Sequence, residues 1–282
     1  MRKLWPSVIS AIGLLGVAGF LLVRPESGIG ERYEVTSASP AQLEEVSKLT
    51  VFFGHQSVGR NLLAALPGAY AAEGLPAPQI IESESPVTDP VFQHTNIHRN
   101  QDPLGKIAAF DRILRAGVAD AVDVAVLKLC YVDFHHGDDI QQVFDAYRST
   151  LEALERDYPD VTFVHSTVPL TTDRGIRGRA EDRINRLLGR GTRLGVEHNV
   201  VRERYNTWLR ETYAGSGRLF DIAAIQSTRL DGTRIKGTLS GQPFYSMDWA
   251  HASDSGHLNE AGAAIAVSAL LATIADADRS TT

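Results

Sequence analysis

Apolar runs of strand length recur along this 282-residue chain with amphipathic, helix-length stretches between them, and that alternation restricts the fold more than any other feature. Val51-Phe52-Phe53 begins the series, after a short lead-in helix through Val46 that Ser39 would cap and Pro40 would open. Gln79 to Glu82 reads as a second strand. Val122 to Leu129, apolar but for Asp123 and Lys128, reads as a third, Val161 to His165 as a fourth, and Leu219 to Ile222 as a short last one. Helical stretches lie between them, starting at Asn61 to Leu66 and continuing at Leu104 to Ala116, Asp139 to Arg156, Arg179 to Leu188 and Glu197 to Tyr213. In Leu104 to Ala116, Ile107, Phe110, Ile113 and Leu114 share one face. A strand that is apolar along its length must be covered on both sides. The predicted class is therefore α/β, a single three-layer domain with a mainly parallel sheet, whose functional groups collect at the carboxyl ends of the strands.

Two regions fall outside the alternation. Arg2 and Lys3 precede an uncharged stretch, Trp5 to Val23, which as a helix would be about 28 Å long against roughly 30 Å of bilayer hydrocarbon. The basic flank keeps the N-terminus cytoplasmic, and no small-x-small cleavage site stands out. The expectation is an uncleaved signal anchor over residues 1–23, one N-terminal transmembrane helix, with the rest of the chain on the extracytoplasmic side of the cytoplasmic membrane; cleavage would make it a secreted protein. Arg24 to Ser39, rich in Gly, Ser, Pro and Glu, reads as linker. Linker and lead-in helix thus take residues 24–45, the folded domain 46–278 and a tail 279–282. The second region, Ser227 to His251, is long and irregular. Its Asp231-Gly232 marks a hairpin, and its position predicts that it overhangs the strand ends.

Composition excludes some functions. A net charge of -6 offers no basic stripe to nucleic acid. The arginine-rich run Arg174 to Arg193 alternates with Glu181, Asp182 and apolar residues, as a solvated helix face does. A single cysteine, Cys130, allows no internal disulfide.

Two stretches carry chemistry. At Val51-Phe52-Phe53-Gly54-His55-Gln56-Ser57-Val58-Gly59 an apolar strand stops at a polar turn and a helix follows, so Ser57 stands where helix amides point at developing negative charge. The plainer reading of Ser57 is a helix N-cap. The other stretch, Ser253-Asp254-Ser255-Gly256-His257-Leu258-Asn259-Glu260-Ala261-Gly262, opens the apolar segment Ala263 to Ile274. A serine needs a base to take its proton, and an imidazole does so best when a carboxylate fixes its tautomer. One loop can offer both Asp254 and His257; capping by Asp254 or Asn259 is the alternative.

A serine after the first strand, with an Asp-x-x-His loop before the last helix, resembles the SGNH (GDSL-like) hydrolases over roughly residues 46 to 278. The resemblance implies a flavodoxin-like domain, Ser57 as nucleophile, His257 as general base, Asp254 as its orienter, and neither metal nor cofactor. The family's Gly-Asp-Ser reads here as His55-Gln56-Ser57. Its oxyanion donors are the serine amide, a glycine amide after the second strand and an asparagine side chain after the third. Here the second block falls within His94 to Pro103, where Asn100 has no glycine beside it, and the third, Lys128-Leu129-Cys130-Tyr131-Val132-Asp133, has no asparagine. Either Asn100 supplies the donor, or the Cys130 amide and Tyr131 hydroxyl do.

The implied activity is a serine esterase of the carboxylesterase or acetylesterase class, hydrolysing or transferring acetyl or other short O-acyl groups. Its partners would be a small-molecule or glycan ester and, through the N-terminal helix, the membrane, but no nucleic acid. Two other readings compete. One is a metal-dependent hydrolase drawing ligands from His94, His98, His135, His136, Asp138 and Asp139. The other is a non-catalytic glycan-binding domain on a hydrolase-like scaffold.

Overall fold

A computed structural model describes residues 26–188 and 193–279, so the expected membrane helix over Trp5 to Val23 lies outside the described residues. The elements in chain order are β1 (Glu26–Arg32), α1 (Pro40–Val46), β2 (Val51–His55), α2 (Val58–Ala72), β3 (Ile80–Glu82), β4 (Phe92–Asn96), α3 (Pro103–Arg115), β5 (Val124–Leu127) and α4 (Ile140–Asp157). They continue with β6 (Thr162–Ser166), α5 (Gly175–Leu187), α6 (Val196–Tyr213), β7 (Leu219–Phe220), α7 (Ile222–Ser227), β8 (Thr233–Leu239), β9 (Gln242–Tyr245) and α8 (Glu260–Arg279).

Alternation along the strands sorts the core into two halves. Val51 and Phe53 of β2 join Val124, Val126 and Val164 in a cluster with Leu43 of α1, Leu62 and Leu66 of α2 and Leu270 and Leu271 of α8. Phe52 faces the other way, with Ala125, Leu127 and Phe163, toward Phe110 of α3, Phe144 and Leu151 of α4 and Leu209 of α6. Six strands between these layers form a sheet in the order β3-β4-β2-β5-β6-β7, parallel at every pairing. Without the edge strand β3 this is the flavodoxin-like order, in which successive connections leave the first core strand, β2, in opposite directions. That reversal opens the crevice where the β2–α2 turn lies. Among the described residues α8 is long and apolar enough to cross a membrane. Its Ala266, Val267, Leu270, Leu271 and Ile274 are all buried in the first cluster, so core packing accounts for its composition.

Three expectations are corrected. Strand β4 escapes the apolar pattern because its middle residues are polar. They are buried with partners: Gln93 Nε2 donates to the carbonyls of Ser83 and Ser85 at 3.0 and 2.9 Å, and Thr95 Oγ1 donates to Glu84 at 3.2 Å. Residues 26–32 of the expected linker form β1, which pairs antiparallel with β8 in a second sheet of order β1-β8-β9. Glu31 fixes that strand by accepting from Arg234 at 3.0 Å and from the Tyr245 hydroxyl at 2.5 Å. The hairpin turns at Ser240-Gly241, both at positive φ (52° and 76°), as a two-residue hairpin turn of the primed type requires; Asp231-Gly232 makes only the bend that leads into β8.

Candidate active site

Only Gln56 and Ser57 separate β2 from α2, and the tight turn drives Ser57 to φ 47° and ψ -99°. A residue with a Cβ adopts such a backbone at a cost of roughly 1–3 kcal/mol. Ser57 stands at the N-cap position, yet its side chain makes no capping hydrogen bond. Its Oγ lies instead 2.5 Å from His257 Nε2. A simple cap would turn the hydroxyl toward the amides of the first helical turn, and this one turns away from them.

His257 comes from the loop between the 3-10 turn Trp249–His251 and α8. Its Nδ1 faces both Asp254 oxygens, at 3.0 and 2.8 Å. Asp254 Oδ1 also accepts from the amides of Gly256 and His257, at 2.8 and 2.9 Å. Partial burial works against ionisation, but the amides and the imidazole outweigh it and hold the carboxyl below its ordinary value. With Nδ1–H donating its hydrogen bond to the Asp254 carboxylate, Nε2 is left to accept from Ser57. The loop is braced by Ser253 N to His257 O at 2.9 Å and by Thr172 N to Ser255 O at 3.0 Å. The hairpin of the Ser227 to His251 insertion packs Phe244 against Val196 and Val200 of α6, and the insertion's end backs the loop, where Asn259 Nδ2 donates to Ala250 O at 2.9 Å.

Tyr131 walls the imidazole. Its ring meets that of His257 edge-on at 5.9 Å, and burial pushes its phenol up to about 12. Arg202, fully buried and lowered by that burial to about 9, holds the Tyr131 carbonyl at 3.0 Å and lies 5.5 Å from the ring. A Cβ on Gly256 would collide with the Tyr131 hydroxyl. Gly256→Ala is therefore expected to displace the His257 loop and lower kcat on an ester by about 10²-fold with little change in melting temperature, measured by steady-state kinetics beside thermal denaturation.

The other expected donors fare differently. The Cys130 amide already donates to Asp133 Oδ2 at 2.7 Å, which corrects its assignment to an oxyanion. Asn100 accepts at Oδ1 from Lys106 Nζ, 2.9 Å away, which leaves its amide end to donate. Sequence reasoning missed Lys106, Arg202 and Gln56. Gln56 Nε2 ties the turn to the loop after β4 through the carbonyls of Ile97 and His98, at 3.4 and 2.6 Å. The signal for Lys106 was its place four and seven residues before Phe110 and Ile113, a charge on a helix's apolar face.

The possible metal ligands are dispersed. His94 lies in β4 with its Nδ1 3.1 Å from His55 Nε2, and His98 in the following loop meets Asp102 at 2.9 Å. The His135 ring lies 4.7 Å from that of His198 at a 39° tilt, the His135 amide bonds Asp138 at 2.6 Å, the His136 amide bonds His198 Nδ1 at 2.9 Å, and Asp139 caps α4. Among the described residues no three His, Cys, Asp or Glu side chains converge.

His55 itself is buried, and burial, with Lys128 and His94 nearby, lowers its pKa to about 3. The folded imidazole stays neutral while an unfolded one takes up a proton below about 6.5. Stability should therefore fall as pH drops from about 6.5 toward 3, and His55→Gln should reduce that slope in urea unfolding followed across the same window.

The parallel sheet carries Ser57 after its first strand, and Asp254 and His257 stand just before the last helix, as the resemblance to the SGNH hydrolases implies. No family model and no curated protein matches the chain. Solved structures that align with it include a Streptococcus pneumoniae protein provisionally described as a platelet activating factor, 12% identical over 93% of this chain and 97% of that one, with a TM-score of 0.45. Another is a provisionally described lipolytic protein of the G-D-S-L family from Desulfitobacterium hafniense DCB-2, 8% identical over 80% of this chain and 99% of that one, with a TM-score of 0.41.

Proposed function

We propose that the protein is an extracytoplasmic serine esterase that hydrolyses or transfers short O-acyl groups. The observation that carries this reading is the Ser57 hydroxyl, turned off its helix and 2.5 Å from an imidazole whose other nitrogen faces a carboxylate. His257 Nε2 takes the Oγ proton as Oγ attacks the acyl carbonyl, and the imidazolium is stabilised by Asp254. The tetrahedral intermediate collapses to acyl-Ser57 as the same proton passes to the leaving alcohol. Water, or a sugar hydroxyl in a transferase, then attacks the acyl carbon as His257 takes its proton, and that proton returns to Ser57 Oγ as the acyl–Oγ bond breaks.

The His257 side chain is 36% exposed and that of Asp254 61%, so the site is open. An open site suits a small acyl group on a bulky carrier, which favours acetyl or similar esters on carbohydrate. The apolar stretch Trp5 to Val23 would tether the domain to the cytoplasmic membrane, facing the envelope glycans.

A fluorophosphonate probe applied to the full chain in detergent should label Ser57 of the native protein, and the label should vanish on denaturation. Absence of labelling sinks the proposal. Nitrophenyl esters and acetylated oligosaccharides then identify acyl group and acceptor. Turnover that stops on chelation would favour the metal-dependent reading, and glycan binding without turnover the binding domain.

A further inference from the structure

One buried charge pair plays no part in proton transfer. Lys106 and the Asp133 side chain are fully enclosed, with Nζ 2.8 and 2.7 Å from the two carboxylate oxygens. The third contact of Nζ is Asn100 Oδ1, at 2.9 Å. The remaining capacity of Asp133 goes to two amides, Gln101 N at 2.8 Å and Cys130 N at 2.7 Å. Stability alone gives little reason for such a pair, because well-packed apolar residues do as well or better in its place.

Its position gives a reason. Asn100 and Gln101 follow β4, Cys130 and Asp133 follow β5, and these are the two strands hydrogen-bonded to β2, whose carboxyl end carries Ser57. The pair therefore spans the sheet across the foot of the Ser57 turn. The loop after β4 needs such a hold, since His98 and Gln101 both sit at positive φ, 48° and 69°. At its near end it is tied to Gln56, and at its far end to Asp133. A planar carboxamide held by its oxygen has its NH2 direction fixed as well.

We infer that Lys106 and Asp133 are positioning residues that aim the Asn100 Nδ2 donor at the oxyanion formed on Ser57. This rests on the esterase reading of the site. Lys106 fixes the carboxamide, and Asp133 fixes Lys106 together with the loop that carries Asn100.

The test is a mutant cycle on the full chain, read by kcat, KM and the rate of fluorophosphonate labelling. Asn100→Ala should lower kcat by about 10²- to 10³-fold with KM nearly unchanged. Asn100→Asp keeps an acceptor for Lys106 but loses the donor, and it should be at least as slow. Lys106→Met combined with Asp133→Asn removes both charges, keeps one carboxamide oxygen for the two loop amides the carboxylate served, and should fold, less stably than wild type. It should nevertheless lose kcat, and adding Asn100→Ala to it should cost little more, because the two lesions act through one donor. Multiplying effects, or a charge-free variant as fast as wild type, would overturn the inference. An Asn100→Ala protein that labels at the wild-type rate overturns it while the esterase reading stands. A wild-type chain that never labels removes both.

Discussion

Ser57→Ala is expected to reduce ester turnover by about 10⁶-fold, leaving only what binding and oxyanion donors supply without a nucleophile. His257→Ala should fall nearly as far, and the double variant no further, because the hydroxyl and the imidazole 2.5 Å from it act as one unit. The backbone adds a second, independent arm. At φ 47° alanine keeps the penalty that serine has, whereas glycine does not. Ser57→Gly should therefore be as inactive as Ser57→Ala yet more stable than it by about 1 kcal/mol, read from urea midpoints. A glycine variant no more stable than the alanine one would show that the turn stores no strain.

The largest effect on stability belongs to Lys106→Met. It leaves the Asp133 carboxylate buried without its cation, and such a change costs about 3–5 kcal/mol. Adding Asp133→Asn removes the stranded charge and should recover most of the loss in the same urea series. If the double variant is no better than the single one, the lost Nζ bonds to Asn100 and Asp133, rather than a stranded charge, account for the cost.

The sheet was legible in the sequence where its strands are apolar and long enough to show it. β2 and β5 are buried on both faces, and helices such as α3 show their faces at three- and four-residue spacing. β4 was not legible, because Gln93, His94 and Thr95 look like loop residues until their partners on neighbouring segments are known. β1 was hidden for a related reason: a strand whose only apolar residue is Ile29, among Glu, Ser, Gly and Arg, has no pattern of its own and depends on β8 to exist. At the site, the spacing of Asp254 and His257 could be read locally, and so could the strand-to-helix step at Ser57. What tells a nucleophile from a cap is the direction of one hydroxyl, which depends on a residue two hundred positions away. The oxyanion side was least legible. The amide of Cys130 was assigned without sight of Asp133, and Lys106 lies on an element read only for its apolar face.

The pairing of β1 with β8 also decides how the molecule bears load. Tension arriving through residue 26 enters the three-stranded ladder first and is spread over its hydrogen bonds and the Glu31 contacts to Arg234 and Tyr245. The six-stranded sheet shares no strand with that ladder. A pull on the leading segment would load the small sheet first, and would reach the His257 loop only through the segment after β9, where Met247 meets Thr171 and Thr172.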